Sequence, residues 1–188
     1  MSTYPAWKSG QVIQGSDLAA MQPQSYVANS PQDNASSVAT GLTPIDSAMF
    51  FETLPNAAYI VEVFAIIATD TDGDGGVADT GDVVTGWQLP SGSTRTRLLW
   101  GPTANEADFV SNSNSRANLT ATTLNTSAIR SYTLSLSLST PQVIWEKGIV
   151  RCGPTPGRVQ FSFGHFVVNA GGRLVRSENS FMRVTRFA

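Results

Sequence analysis

Residues 159–167 read VQFSFGHFV, and the order of side chains in those nine positions decides the fold. Val159, Phe161, Phe163, His165 and Val167 fall on one side of an extended chain, and Gln160, Ser162 and Gly164 fall on the other. Successive side chains of a pleated strand point to opposite faces, so this alternation marks a strand with one face in a core and one face wet. Residues 128–138 repeat it. Ala128, Tyr132, Leu134, Leu136 and Leu138 share a face that only Arg130 interrupts, opposite Ser131, Thr133, Ser135 and Ser137. Residues 57–68 are apolar on both faces except at Glu62, which predicts a central strand or one lying under a second layer. Further strands are predicted over 45–54, 83–89, 95–100, 143–152, 173–176 and 181–187. The turn-formers LPNA, LPSGS, GPTANE, STPQ, CGPTPG and NAGG separate them. With no helical period of useful length, the sequence predicts an all-β protein: an antiparallel β-sandwich, jelly-roll-like.

The first 43 residues differ. Ser16 to Gln22 is a short helix candidate, with Ser16 as N-cap, Asp17 in the first turn and Pro23 closing it. A stretch rich in Gln, Asn and Ser follows, with too little apolar content to bury much. The reading divides the chain into an extended N-terminal arm, 1–43, and a sandwich head, 44–188. Tyr4, Trp7, Val12, Ile13, Leu18, Met21 and Tyr26 are spaced as anchors for a chain laid over a partner's surface.

At 188 residues and 20.0 kDa the chain is one domain of ordinary size. Only 14 % of residues are charged, and the polar remainder is largely 21 Ser and 19 Thr. A net charge of −2 argues against nucleic acid as a partner. From Arg151 onward, however, six Arg face one acid, Glu178, which reads as a solvated edge or a basic face. The lone Cys152 has no partner for an internal disulfide. No apolar run is long enough to span a bilayer, and the N-terminus does not read as a signal peptide, so the expectation is a protein made and folded in a cytoplasm, with no membrane partner.

Five of the nine aspartates lie within TDTDGDGGVADTGD, residues 69–82. Asp70, Asp72 and Asp74 match the first three ligand positions of a calcium loop, and Gly75 takes its turn position. Position 12 should be Glu and is Gly81, and strands rather than helices flank the segment, which excludes an EF-hand. The reading is a Gly/Asp-rich hairpin loop, with a structural calcium ion at Asp70, Asp72 and Asp74 as the alternative and no other cofactor. His165 sits mid-strand without a G-x-S-x-G elbow, so it reads as core or interface. Glu52, Glu62 and Glu146 supply carboxylates but no recognisable catalytic pair. Trp87, Trp100 and Trp145 would suit a sugar platform or a core. No phosphate loop, dinucleotide fingerprint or metal-ligand spacing is found. The expectation is no enzyme.

Four segments, WKSGQVIQGSDLAAMQPQ, AMFFETLPNAAYIVEVFAIIAT, GDVVTGWQLPSGSTRTRLLWGP and SENSFMRVTRF, come in an order that resembles small virion proteins of tailed phages infecting actinobacteria. These are head-decoration or minor tail proteins. The resemblance covers nearly the whole chain, with residues 70–82 as an insertion. It implies a β-sandwich head, commonly trimeric, fixed to the particle by its N-terminal segment. The leading expectation is therefore a virion structural protein that decorates or stabilises the capsid surface, touching the major capsid protein or other virion proteins. A minor tail or baseplate protein contacting the host is the alternative within that class, and a carbohydrate-binding module taking a host-surface glycan is the alternative outside it. Self-association, most simply a homotrimer, follows from the apolar surface of Tyr59, Val61, Phe161, Phe163 and His165, which exceeds what one sandwich interior requires.

Overall fold

The computed structural model describes residues 22–33, 45–69, 80–101, 122–124, 130–135, 138–165 and 174–187. In chain order the strands are β1 (Gln24–Val27), β2 (Gln32–Asp33), β3 (Ile45–Glu52), β4 (Ala58–Thr69), β5 (Thr80–Gln88) and β6 (Thr94–Trp100). They continue with β7 (Thr122–Leu124), β8 (Arg130–Ser135), β9 (Gln142–Arg151), β10 (Arg158–His165), β11 (Leu174–Arg176) and β12 (Phe181–Arg186). The predicted helix from Ser16 lies outside the described residues, as do Tyr4, Trp7, Val12, Ile13, Leu18, Met21, Asp70, Asp72 and Asp74.

The pairing is nested. β1 pairs with β12, β3 with β10, β4 with β9 and β5 with β8, all antiparallel. Counted as strands one to eight, these are first with last, second with seventh, third with sixth and fourth with fifth. That is a two-stranded ribbon wound into a barrel-like sandwich. The β12–β4 and β10–β5 ladders then join the pairs into two sheets, β1-β12-β4-β9 and β3-β10-β5-β8. This is a jelly roll. β6 and β7 extend the larger sheet beyond β9, while β2 and β11 continue β1 and β12 along the far end of β4.

The core lies between the sheets. β9 shows why: Ile144, Glu146, Gly148 and Val150 are buried, and Val143, Trp145, Lys147 and Ile149 between them are exposed. Tyr59, Val61, Val63, Ala65 and Ile67 of β4 meet Val159, Phe161 and Phe163 of β10, with Met49, Phe51, Trp87 and Leu134 filling the remaining space. Fully burying one such side chain contributes about 1.5–3 kcal/mol. Tyr59, Val61, Phe161 and Phe163, expected at an oligomer contact, are thus consumed by the chain's own interior, because each sheet supplies the second layer that the other requires. His165 ends β10 opposite Val83.

Two further expectations are corrected. The boundary at residue 43 fails, since residues 24–27 and 32–33 of the supposed arm are strands of the large sheet. Tyr26 packs on the core, its ring 6.5 Å from that of Phe51, so it is not a free anchor. A buried ion pair fastens this segment. Arg176 Nε donates to Asp46 Oδ2 at 2.7 Å, and its Nη1 donates to the Ser30 carbonyl at 2.7 Å. Secondly, β4 and β5 lie in different sheets, so the Asp-rich segment is a crossing connection and not a hairpin loop. Thr80 to Asp82 belong to β5 itself, with Asp82 opposite Thr133. A two-residue turn could not span layers that stand about 10 Å apart.

Candidate interaction face

The outer face of the large sheet is set by the same alternation that builds the core, read at the other phase. Because the ladders are in register, its side chains form rows across the strands. One row runs Val27, Phe181, Phe64, Trp145 through β1, β12, β4 and β9. The rings of Phe64 and Phe181 stack at 5.3 Å with 12° between their planes. The next row runs Ser25, Arg183, Glu62, Lys147, Leu98, and the one after it Thr185, Ile60, Ile149, Thr96. Ile66 and Val143 are paired on the other side of the aromatic row. Ile60 is 37 % exposed, Trp145 38 %, Ile149 38 % and Val143 41 %. The Trp145 indole N–H donates to Glu62 Oε1 at 2.9 Å, which holds the ring against the sheet. Where β1 meets β12, Gln22, Pro23, Ser25, Val27, Phe181 and Arg183 line an open depression of about 650 Å³.

An outer face with this many exposed apolar side chains, crossed by one charged row, marks a place of contact. Lys147 and Arg183 flank Glu62 in the centre of it, so the face carries one anion between two cations.

A second polar group of residues sits inside the sandwich. Glu146 projects inward from β9 and is fully buried; Arg97 of β6 pairs with it at 2.5 Å. The Trp87 indole N–H donates to its Oε2 at 2.7 Å, the Tyr132 hydroxyl donates to its Oε1 at 3.0 Å, and Thr85 Oγ1 donates to Oε1. Arg97 Nη2 donates to Thr85 Oγ1 at 2.9 Å, and Arg95 donates to the Trp87 carbonyl. Burial pushes the Tyr132 phenol well above its ordinary pKa, and the Glu146 carboxylate beside it adds to the rise. Gly148 leaves the space for Trp87: a Cβ there would collide with the Thr96 carbonyl oxygen and stand 3.2 Å from Trp87 Cη2. These groups tie β5, β6, β8 and β9 together and are closed to solvent.

The carboxylates considered from the sequence do not converge. Glu146 points inward, Glu62 lies on the outer face of the neighbouring strand, and Glu52 is exposed beside Arg158. The three tryptophans divide likewise. Trp87 is core, whereas Trp145 belongs to the outer face and is in register with Trp100. Cys152 is buried, and burial raises its thiol pKa. Among the described residues, no three His, Cys, Asp or Glu side chains gather as a metal site would require. The doubly apolar run 59–67 reads from the sequence as needing a second layer, and Ile60, Phe64 and Ile66 are its outward members; Val143, Trp145 and Ile149 of β9 were not recognised as part of the same face.

Fold and face together define a jelly-roll β-sandwich with an apolar outer sheet. The chain is similar to the crystal structure of the infectious bursal disease virus VP2 subviral particle, with 10 % identity over 89 % of this chain and 40 % of that one and a TM-score of 0.19. It is similar to a structure of infectious bursal disease virus, Gx strain, with 13 % identity over 89 % and 39 % of the two chains and a TM-score of 0.20. The chain spans about two fifths of the length of these structures. Neither a family model nor a curated protein matches it.

Proposed function

We propose that this chain is a non-enzymatic structural protein of a virus particle, a jelly-roll unit that decorates or stabilises the capsid surface of a phage. The observation that carries the reading is the exposed, largely apolar face of the sandwich: the interior polar groups are sequestered from solvent, while the outer sheet offers flat ground for adhesion. The resemblance of its segments to head-decoration and minor tail proteins supports the same class. Residues 1–21, which carry Tyr4, Trp7, Val12, Ile13, Leu18 and Met21 ahead of β1, supply the particle anchor in this reading. Such a segment gains order from its partner, and many copies on one shell add avidity.

Cryo-EM of particles assembled with the full chain, and with a variant lacking residues 2–21, tests this. The expected result is jelly-roll density on the capsid exterior with the full chain, and a folded variant that no longer incorporates. Density confined to the tail would move the chain to the minor tail class, and absence of the chain from purified particles would end the proposal.

A further inference from the structure

We infer that the outer face of the large sheet is a two-fold contact with a second copy of this chain, the axis running along the seam between β4 and β9. The inference goes beyond the particle reading: it names a second copy as what this face adheres to and leaves attachment to the particle to residues 1–21, so the dimer can be tested without particles. Its basis is that this face is its own complement.

A face-to-face pair of identical sheets related by an in-plane two-fold parallel to the strands exchanges left for right and keeps each row level. The strand order β1-β12-β4-β9-β6-β7 has three strands on each side of the β4–β9 seam. With the axis there, β4 faces the partner's β9, β12 faces its β6 and β1 its β7. The β4–β9 register then dictates the contacts twice over: Ile60 on Ile149, Glu62 on Lys147, Phe64 on Trp145 and Ile66 on Val143, each with its symmetry mate, while at the end of the seam Ala58 meets the exposed Arg151, which stays at the solvated rim. Apolar meets apolar in three of these rows. In the fourth, two glutamates and two lysines alternate around the axis, so every carboxylate has an ammonium both beside it and across from it. A self-complementary patch of this kind is what a closed isologous dimer needs.

The extent suits a small interface. Ten register pairs join β4 to β9, about 33 Å of strand, and five strands from β1 to β6 span about 24 Å. β12, β6 and β1 cover only six, seven and four of those levels, so the footprint is about 600 Å² on each partner, at the low end for a specific interface. Sheets stacked about 10 Å apart with strands within about 30° keep the central rows in contact despite their twist. A trimer, by contrast, would need a heterologous surface, and the core residues that the sequence offers for it are internal.

The test separates contacts across the axis from those within the sheet. Glu62→Lys makes both members of the charged row lysine, and Lys147→Glu, on a separate chain, makes both glutamate. Each variant alone opposes like charges across the axis, whereas a mixture opposes only unlike ones. Sedimentation velocity of the full-length wild type at micromolar concentration should give a species of twice 20.0 kDa. Each single variant should dissociate at least tenfold more readily, as like charges brought together are repelled. Mixing the two should restore the dimer as a heterodimer, visible by native mass spectrometry. Trp145→Ser should also yield monomers while the far-ultraviolet circular dichroism stays unchanged. A wild-type monomer or trimer would overturn the inference. So would a dimer that survives all three substitutions, or variants that fail to pair on mixing.

Discussion

Replacing Glu146 with Gln removes one buried negative charge and leaves the side-chain shape nearly intact. Arg97 is as buried as Glu146, so the guanidinium would remain in the interior without its counter-charge. Breaking a buried pair from one side costs about 3–5 kcal/mol, against about 5–15 kcal/mol of total stability for a domain. The neutral amide oxygen still accepts from Trp87 or Tyr132, so the hydrogen-bond loss is partial and the charge dominates. At about 2–4 °C per kcal/mol for a chain of this size, the melting temperature should fall by about 6–20 °C. Urea melts followed by Trp fluorescence would report a lower midpoint with an unchanged slope. Arg97→Met on the Glu146→Gln background should then recover most of the loss, because the orphaned cation is gone. A single variant that loses less than about 1 kcal/mol, or a double variant worse than the single, would refute the reasoning.

Arg176→Ala strands the buried Asp46 carboxylate and frees the Ser30 carbonyl. It should cost about 3–5 kcal/mol, and limited proteolysis should cleave first within residues 22–33. Gly148→Ala drives a methyl into the Thr96 carbonyl and the Trp87 ring. A loss of about 1–3 kcal/mol or more in chemical denaturation is expected, with a shifted Trp emission maximum. Burial raises the Tyr132 phenol above its ordinary 10.0 in the folded chain, so the folded state holds this proton more tightly than the unfolded state. Its contribution is complete below about pH 10 and is lost as pH rises through the folded value. Thermal melts should therefore show a fall in stability beginning near pH 10, and Tyr132→Phe should flatten that fall while costing about 1–3 kcal/mol at neutral pH through the lost bond to Glu146.

The strands that alternate strictly were legible. Residues 158–165 show one apolar face, and its Val159, Phe161 and Phe163 are buried; residues 142–151 are apolar at both phases, so their alternating burial follows the assembled layers and not the composition. Three kinds of feature were not. β1, QSYV, is an edge strand with exposed Gln24, Ser25 and Val27, so its identity rests on pairing with β12 and not on its composition. Arg95, Arg97, Glu146 and Arg176 occupy inward positions that a hydrophobic pattern reads as wet, because only the assembled layers bring each a counter-charge or carbonyl. Finally, β4 is apolar on both sides for two different reasons. Its inner face is core and its outer face is surface, and sequence alone assigned the surplus to the wrong set of residues.

The nested winding also sets when this chain can fold. Gln24 pairs with Val184, partners 160 positions apart, so nearly the whole chain must be synthesised between the two halves of the outermost ladder. At about 5–20 residues per second, the first strand waits about 10–30 s for its partner. Only the innermost pair of the ribbon, β5 with β8, can form early. β4 has no partner until β9 emerges, and its Ile60, Phe64 and Ile66 are bare on one side and its core residues on the other throughout. Closure is thus deferred until β12 has been synthesised and proceeds through many non-local contacts, a slow route. A stop codon at position 181 would remove the strand that joins β1 to β4, leaving a polypeptide whose outermost ladder cannot close.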